Sequence, residues 1–332
     1  MRAAVARGPR QIAVEERPLP EPAAGEVRVR IRACGLCGSD LHFYRDGLWP
    51  AGTTPGHEMA GVVDAAGSGF EPGEAVVVEP LRACGRCESC RLGRGATCPE
   101  LQVYGIHRAG GMAEYVCVPG ERLFRAPPGL DPAVAALAEP MAVVVHGLER
   151  GGFEAGMRVL VLGAGSIGLL GVAAARALGA GDVWLSARHP HQAKLGERLG
   201  ASRVLAEDEI PAEWADLVLE TVGQAADTLA QAGRAVARGG AISVVGLFLR
   251  PVEIEPLPLF LKENALVWSN CYCRGHGGSD FERAVELLSR GRGSLAEIAT
   301  HRIPLDEIDR AFRTASDKRS GAVKVTALPE DA

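Results

Sequence analysis

No stretch of this 332-residue sequence stays apolar over the eighteen or so residues that a membrane span requires. The opening Met-Arg-Ala-Ala-Val-Ala-Arg-Gly-Pro also lacks the long apolar core of a secretion signal. The expectation is a cytoplasmic protein with no membrane partner. An excess of positive charge is missing too: 36 Lys and Arg stand against 41 Asp and Glu, a formal charge of -5, so bulk attraction to nucleic acid is not expected. With 47% hydrophobic and 23% charged residues, the chain has neither the polar bias of disorder nor a fibrous composition. Nine cysteines are an odd number, and four crowd into residues 84–98, which in an intracellular protein points to metal and not to disulfides.

That crowd reads Cys84-Gly-Arg-Cys87-Glu-Ser-Cys90, followed by Cys98. Four thiolates at this spacing wrap a lobe, at about residues 80–100, around a closed tetrahedral zinc, and Gly85, Gly93 and Gly95 help the tight turns. A second group lies earlier, in Gly35-Leu-Cys37-Gly-Ser39-Asp40-Leu-His42 and the later His57-Glu58. Cys37 and His57 are donors that zinc accepts, and Glu58 or a more distant carboxylate completes a three-ligand set with a fourth position open, as catalytic zinc requires. Asp40 is the natural partner for the other ring nitrogen of His57. Ser39 and His42 supply a hydroxyl and a titratable ring for moving a proton off an alcohol.

The length favours two domains. Strand patterns open the chain, with period two over 26–33 and apolar runs at 61–66 and 75–79; the 110–119 segment enters another strand, with Cys117 a core residue. Residues 131–150 carry a helical pattern with Asp131 as N-cap and Pro132 at its first position. Inside it, Glu139 is an acid among Ala, Leu, Met and Val, costly unless paired or bound to metal. From Arg158 the texture turns to alternating β and α. An apolar strand runs into Gly163-x-Gly165-x-Ile167-Gly168 and then a helix, the setting that a dinucleotide fingerprint needs. Gly163 permits the turn, Gly165 lets the backbone approach a pyrophosphate, and Gly168 permits close helix packing. The second strand ends at Ser186, and Ala187 stands where an NAD-preferring domain carries an acid. Arg188 follows, a planar cation for a 2′-phosphate, with Ser186 or His191 as further donors, so NADP is expected over NAD.

GLCGSDLH followed by GHE resembles the signature of the zinc-dependent medium-chain dehydrogenases, in their sorbitol, threonine and glucose dehydrogenase branch, and the resemblance runs over nearly the whole chain. It implies an α/β protein in which a doubly wound Rossmann domain, about 147–274, is inserted in a β-rich GroES-like catalytic domain, 1–146 plus 275–332. It places Glu139 at the catalytic zinc with Cys37, His57 and Glu58, the direct ligand being either carboxylate or the two in exchange during turnover. It likewise implies a structural zinc on the four-cysteine lobe, Val245, Gly246 and Leu247 beside the cofactor, and a proton route from Ser39 through the cofactor ribose to His42. In the family a strand such as 257–268 often pairs with its twin, which implies a homodimer or homotetramer. The Gly-rich loop 270–278 departs from the sorbitol dehydrogenase pattern, so no substrate role passes to it, and His276 reads as an exposed loop residue.

The activity implied is metal-assisted oxidation of a secondary alcohol on a polyol, sugar or sugar acid, with NADP as hydride acceptor. L-threonine or a simple alcohol with NAD is the alternative substrate reading. A non-catalytic NADP(H) sensor is the alternative from another class, and the retained metal and relay residues argue against it.

Overall fold

The computed structural model describes residues 1–65, 67–224, 227–275 and 278–329. His276 lies outside them. The chain divides into two compact units, Met1–Glu139 with Leu288–Ala332, and Pro140–Leu287. The divisions fall at 139/140 and 287/288, whereas the sequence places them at 146/147 and 274/275. Side-chain ties explain why the helix Ala138–Arg150 goes with the second unit from Pro140 onward: Ser243 Oγ donates to the Gly147 carbonyl at 2.6 Å, and His146 Nδ1 meets Asp280 Oδ2 at 2.8 Å.

The first unit is built on a seven-stranded sheet in the order His301–Pro304, Val325–Leu328, Glu26–Gly35, Glu58–Ala65, Ala75–Val78 and Leu123–Arg125, with Tyr115–Pro119 also paired to Glu26–Gly35. The period-two pattern of Glu26–Gly35 works as expected: Val27, Val29, Ile31 and Ala33 are buried and the residues between them are not. Each of these valines contributes roughly 1.5–3 kcal/mol of apolar burial. Cys117 departs from expectation. It lies on the other face of its strand from the buried Val116 and Val118, half-exposed, with Sγ 3.5 Å from the Pro20 carbonyl.

The helix expected over 131–150 is two helices, Pro132–Ala135 and Ala138–Arg150. Asp131 caps the first as predicted, accepting from the N–H groups of Ala133 and Val134. Pro140 accounts for the break. It lacks an N–H and disfavours helical geometry before it, so it is tolerated in the first turn of a new helix and not in the middle of one.

The second unit holds a six-stranded parallel sheet in the order Arg203–Leu205, Asp182–Ser186, Arg158–Leu162, Ala215–Glu220, Val236–Val244 and Ala265–Trp268. Strands covered on both faces read as unbroken apolar runs, as in Val159–Leu162, all buried. The segment 257–268 is not one strand. Pro256 starts a short helix, Pro256–Leu261, where the missing N–H costs nothing, and only Ala265–Trp268 joins the sheet, at its edge. Among the described residues no helix is long and apolar enough to cross a membrane.

Candidate active site and metal centres

Strand register assembles the first site. Gly35 pairs with Glu58 on one side and with Thr326 on the other, so the residues flanking three strand ends, Cys37, His57 and Lys324, meet at one edge of the sheet. Ligand atoms of Cys37, His57 and Glu58 all lie within 4.8 Å of one another. Cys37 also caps the helix Gly38–Asp46, and Asp40 at the third helical position accepts its backbone N–H at 3.0 Å. The other Asp40 oxygen faces His57 Nδ1 at 3.5 Å, which leaves Nε2 as the nitrogen available to a metal. Burial works against a charged His57 ring, yet the Asp40 carboxylate and the Cys37 sulfur hold its pKa well above the ordinary imidazole range.

Glu58 is fully buried and already engaged. Lys324 Nζ, also buried, donates to its two oxygens at 2.6 and 2.8 Å and to the Leu36 carbonyl at 3.1 Å. Lys324 was not foreseen. Its signal was a single cation in the otherwise apolar final strand segment, buried by the fold and therefore in need of a partner. Burial alone would lower its pKa, but Glu58 and Cys37 keep it above the usual lysine value. Glu139, buried in the first turn of its helix, stands outside the 4.8 Å set. Burial pushes its carboxyl up to about 7, Glu58 and Asp40 push the same way, and His57 and Lys324 pull it down. It therefore faces the same charges.

Ser39 and His42 are both half-buried on the helix Gly38–Asp46. Arg45 donates to His42 Nδ1 at 3.2 Å, so the neutral ring carries its proton on Nε2. Burial and then Arg45 hold the His42 pKa below its ordinary value.

The four-cysteine lobe is closed by the short strands Leu81–Arg82 and Gln102–Val103. The sulfurs of Cys84, Cys87, Cys90 and Cys98 lie within 4.8 Å of one another. Cys87–Cys90 and Cys84–Cys90 spacings are 3.4 and 3.9 Å. A tetrahedral zinc with Zn–S bonds of about 2.3 Å sets its sulfurs roughly 3.8 Å apart, so the donor set fits. Backbone N–H groups of Arg86 and Cys87 lower the Cys84 thiol to about 7, while burial and then the Cys87 sulfur push Cys90 up to about 12. Sulfurs this close cannot all ionise without a cation among them.

In the second unit, the ends of all six strands align through the pairs Leu205–Ser186, Ser186–Leu162, Leu162–Glu220, Glu220–Val244 and Val244–Trp268. Ser186 is one of these ends, and Gly163, Gly165, Ile167, Gly168, Arg188, Val245, Gly246 and Leu247 follow them, on the edge where open parallel sheets bind ligands. Gly163 has φ +97°, and a Cβ on Gly168 would collide with the Gly163 carbonyl. A Cβ on Gly165 would meet nothing within 4 Å, which is the open space a pyrophosphate needs at the start of helix Ser166–Ala177. Glu220, another residue not foreseen, braces this edge: its Oε1 accepts from the N–H groups of Val222 and Gly223 and from Thr228 Oγ1, and its carbonyl accepts from Val245 and Gly246. An acid closing an apolar strand was the available signal.

Residues 23–128 match the alcohol dehydrogenase GroES-like domain and residues 166–290 the zinc-binding dehydrogenase family. The chain is 31% identical to the sorbitol dehydrogenase of Bacillus subtilis (strain 168), over 99% of this chain and 97% of that one. It is 32% identical to L-threonine 3-dehydrogenase from the same strain, over 93% of each. A candidate zinc-binding dehydrogenase from Sinorhizobium meliloti 1021, solved bound to NADP, is similar with a TM-score of 0.90 and 34% identity over 99% of both chains. The chain belongs to the zinc-dependent medium-chain dehydrogenase family. It is an enzyme of the zinc-dependent alcohol dehydrogenase type, with a GroES-like domain and a Rossmann domain.

Proposed function

We propose that this chain oxidises a secondary alcohol on a polyol, sugar or sugar acid with NADP+, at a catalytic zinc held by Cys37, His57 and Glu139. The observation that carries the reading is the convergence of half-buried Cys37 with buried His57 and Glu58, with Asp40 behind the ring. Because Lys324 occupies both oxygens of Glu58, Glu139 is the better third donor, and Glu58 shapes the field around it. Zinc at such a site supplies Lewis acidity to an alcohol oxygen, and NADP+ supplies the hydride acceptor.

The chain's own residues handle position and proton. Asp40 fixes the His57 tautomer and holds the Cys37 backbone. Ser39 takes the proton from the substrate hydroxyl side, and His42 receives it at Nδ1 after giving up its bond from Arg45. His42 is suited to this because its depressed pKa keeps it neutral at pH 7. The four-cysteine lobe would hold a second, structural zinc.

Two features support NADP: the absence of a carboxylate at Ala187, with Arg188 next to it, and the likeness to a protein solved with NADP. The edge strand Ala265–Trp268 has one paired side, and Phe260 and Trp268 are 76% and 52% exposed. A second copy of the chain covering this edge, in a homodimer or homotetramer, accounts for both.

The test is NADPH absorbance with polyols, aldoses, aldonates, L-threonine and simple alcohols offered to the zinc-replete protein. Selective turnover of a polyol or sugar class supports the reading, and turnover of L-threonine with NAD+ replaces it. Cys37→Ala should abolish turnover, keep NADP+ binding and lower the zinc content from about two per chain to about one. Near-normal rates in that variant stripped of metal would reject the metal mechanism.

A further inference from the structure

We propose that Glu207 is a specificity-determining residue: its carboxylate holds Arg188 and competes with a cofactor 2′-phosphate for it, and so limits the preference for NADP over NAD. The inference rests on the NADP reading above.

Strand register brings the two residues together. Ser186 pairs with Leu205 in the parallel sheet, and the next link, Ala187 N–H to the Leu205 carbonyl at 3.0 Å, keeps the two chains side by side past their strand ends. Arg188 and Glu207 each lie two residues beyond that pair, and an Arg188 guanidinium nitrogen donates to Glu207 Oε1 at 2.6 Å. In place of the carboxylate missing at Ala187, one thus stands beside Arg188 from the turn after the neighbouring strand. Of the other acids in the turn Glu207–Glu209, Glu209 is committed to its own turn, accepting from the Ala206 N–H at 2.8 Å.

Exposure decides what this pair can do. The Arg188 and Glu207 side chains are 74% and 50% exposed, so their bond is of the weak, solvent-screened kind. A phosphate dianion, which accepts two parallel bonds from a guanidinium, displaces a carboxylate from it. The displaced Glu207 stays anchored at the adjacent strand end, and its charge then opposes the phosphate. NAD, with a ribose hydroxyl in that place, meets no such repulsion. Glu207 therefore subtracts from NADP affinity what an exposed like-charge contact costs, about two- to fivefold.

The experiment is calorimetric binding of NADP+, NAD+ and adenosine 2′,5′-bisphosphate, at one fixed ionic strength, to the wild-type chain, Glu207→Gln, Arg188→Ala and the double variant. Glu207→Gln should tighten NADP+ and the bisphosphate by about two- to fivefold relative to NAD+, and the gain should vanish in the Arg188→Ala background. Arg188→Ala by itself should weaken NADP+ relative to NAD+. If it does so while Glu207→Gln leaves the ratio unchanged, or weakens NADP+, the Glu207 assignment is overturned and the NADP reading stands. If Arg188→Ala leaves the ratio unchanged, the NADP reading fails and the Glu207 assignment goes with it. A gain that survives in the double variant overturns the competition for Arg188.

Discussion

Lys324 Nζ is bonded to both carboxylate oxygens of Glu58 and to the Leu36 carbonyl, so all three ammonium donors are used inside the protein, beside Cys37 and His57. The pair joins the last strand of the chain to the strand that follows His57. Its attraction offsets the desolvation of two buried charges only while both are present.

Lys324→Met should therefore destabilise the protein by about 3–5 kcal/mol, because it strands the Glu58 carboxylate in a dry site. Glu58→Gln with Lys324→Met should recover part of that loss. Urea unfolding of the three proteins checks it, and a single variant as stable as wild type would mean that water reaches Glu58.

Gly165 and Gly168 should separate cofactor binding from folding. Gly165→Ala meets nothing in the chain, so its melting temperature should stay near wild type while NADP+ affinity falls at least about tenfold, the methyl filling the phosphate space. Gly168→Ala collides with the Gly163 carbonyl and should lower stability itself, by about 1–3 kcal/mol. Thermal melts beside NADP+ titrations distinguish the two.

On the proposed relay, His42 should govern the acid limb of the pH profile. Its pKa is depressed, so the neutral, proton-accepting ring persists below the usual imidazole value and is lost only as pH falls through that lowered pKa. The wild-type kcat/KM should stay level from pH 8 to about 6.5 and fall below it. His42→Gln should reduce kcat by about 100-fold or more and flatten that limb. An unchanged limb in the variant would place the titrating group elsewhere.

At the sheet edge and the short helix before it, Trp268→Glu combined with Phe260→Glu should yield a smaller species by light scattering coupled to gel filtration. These side chains are exposed in the isolated chain, so the double variant should keep its fold by circular dichroism. The same mass as wild type would remove this edge from the assembly.

Local sequence patterns determined much of the architecture. The period-two run of Glu26–Gly35, the apolar strand before Gly163 and the Asp131 cap all formed as their spacing requires, because backbone hydrogen bonding and alternating burial act over a few residues. The four cysteines of residues 84–98 were legible for the same reason, since a short loop can only bring them together. Pro140 and Pro256 were visible too, yet their effect on helix boundaries depended on where each helix restarted. Only the tertiary structure could pair Lys324 with Glu58 or Glu207 with Arg188, and only it could give Glu220 its three donors. Those contacts are set by strand register between segments that the sequence leaves independent, and register fixes which charges share a buried or exposed site.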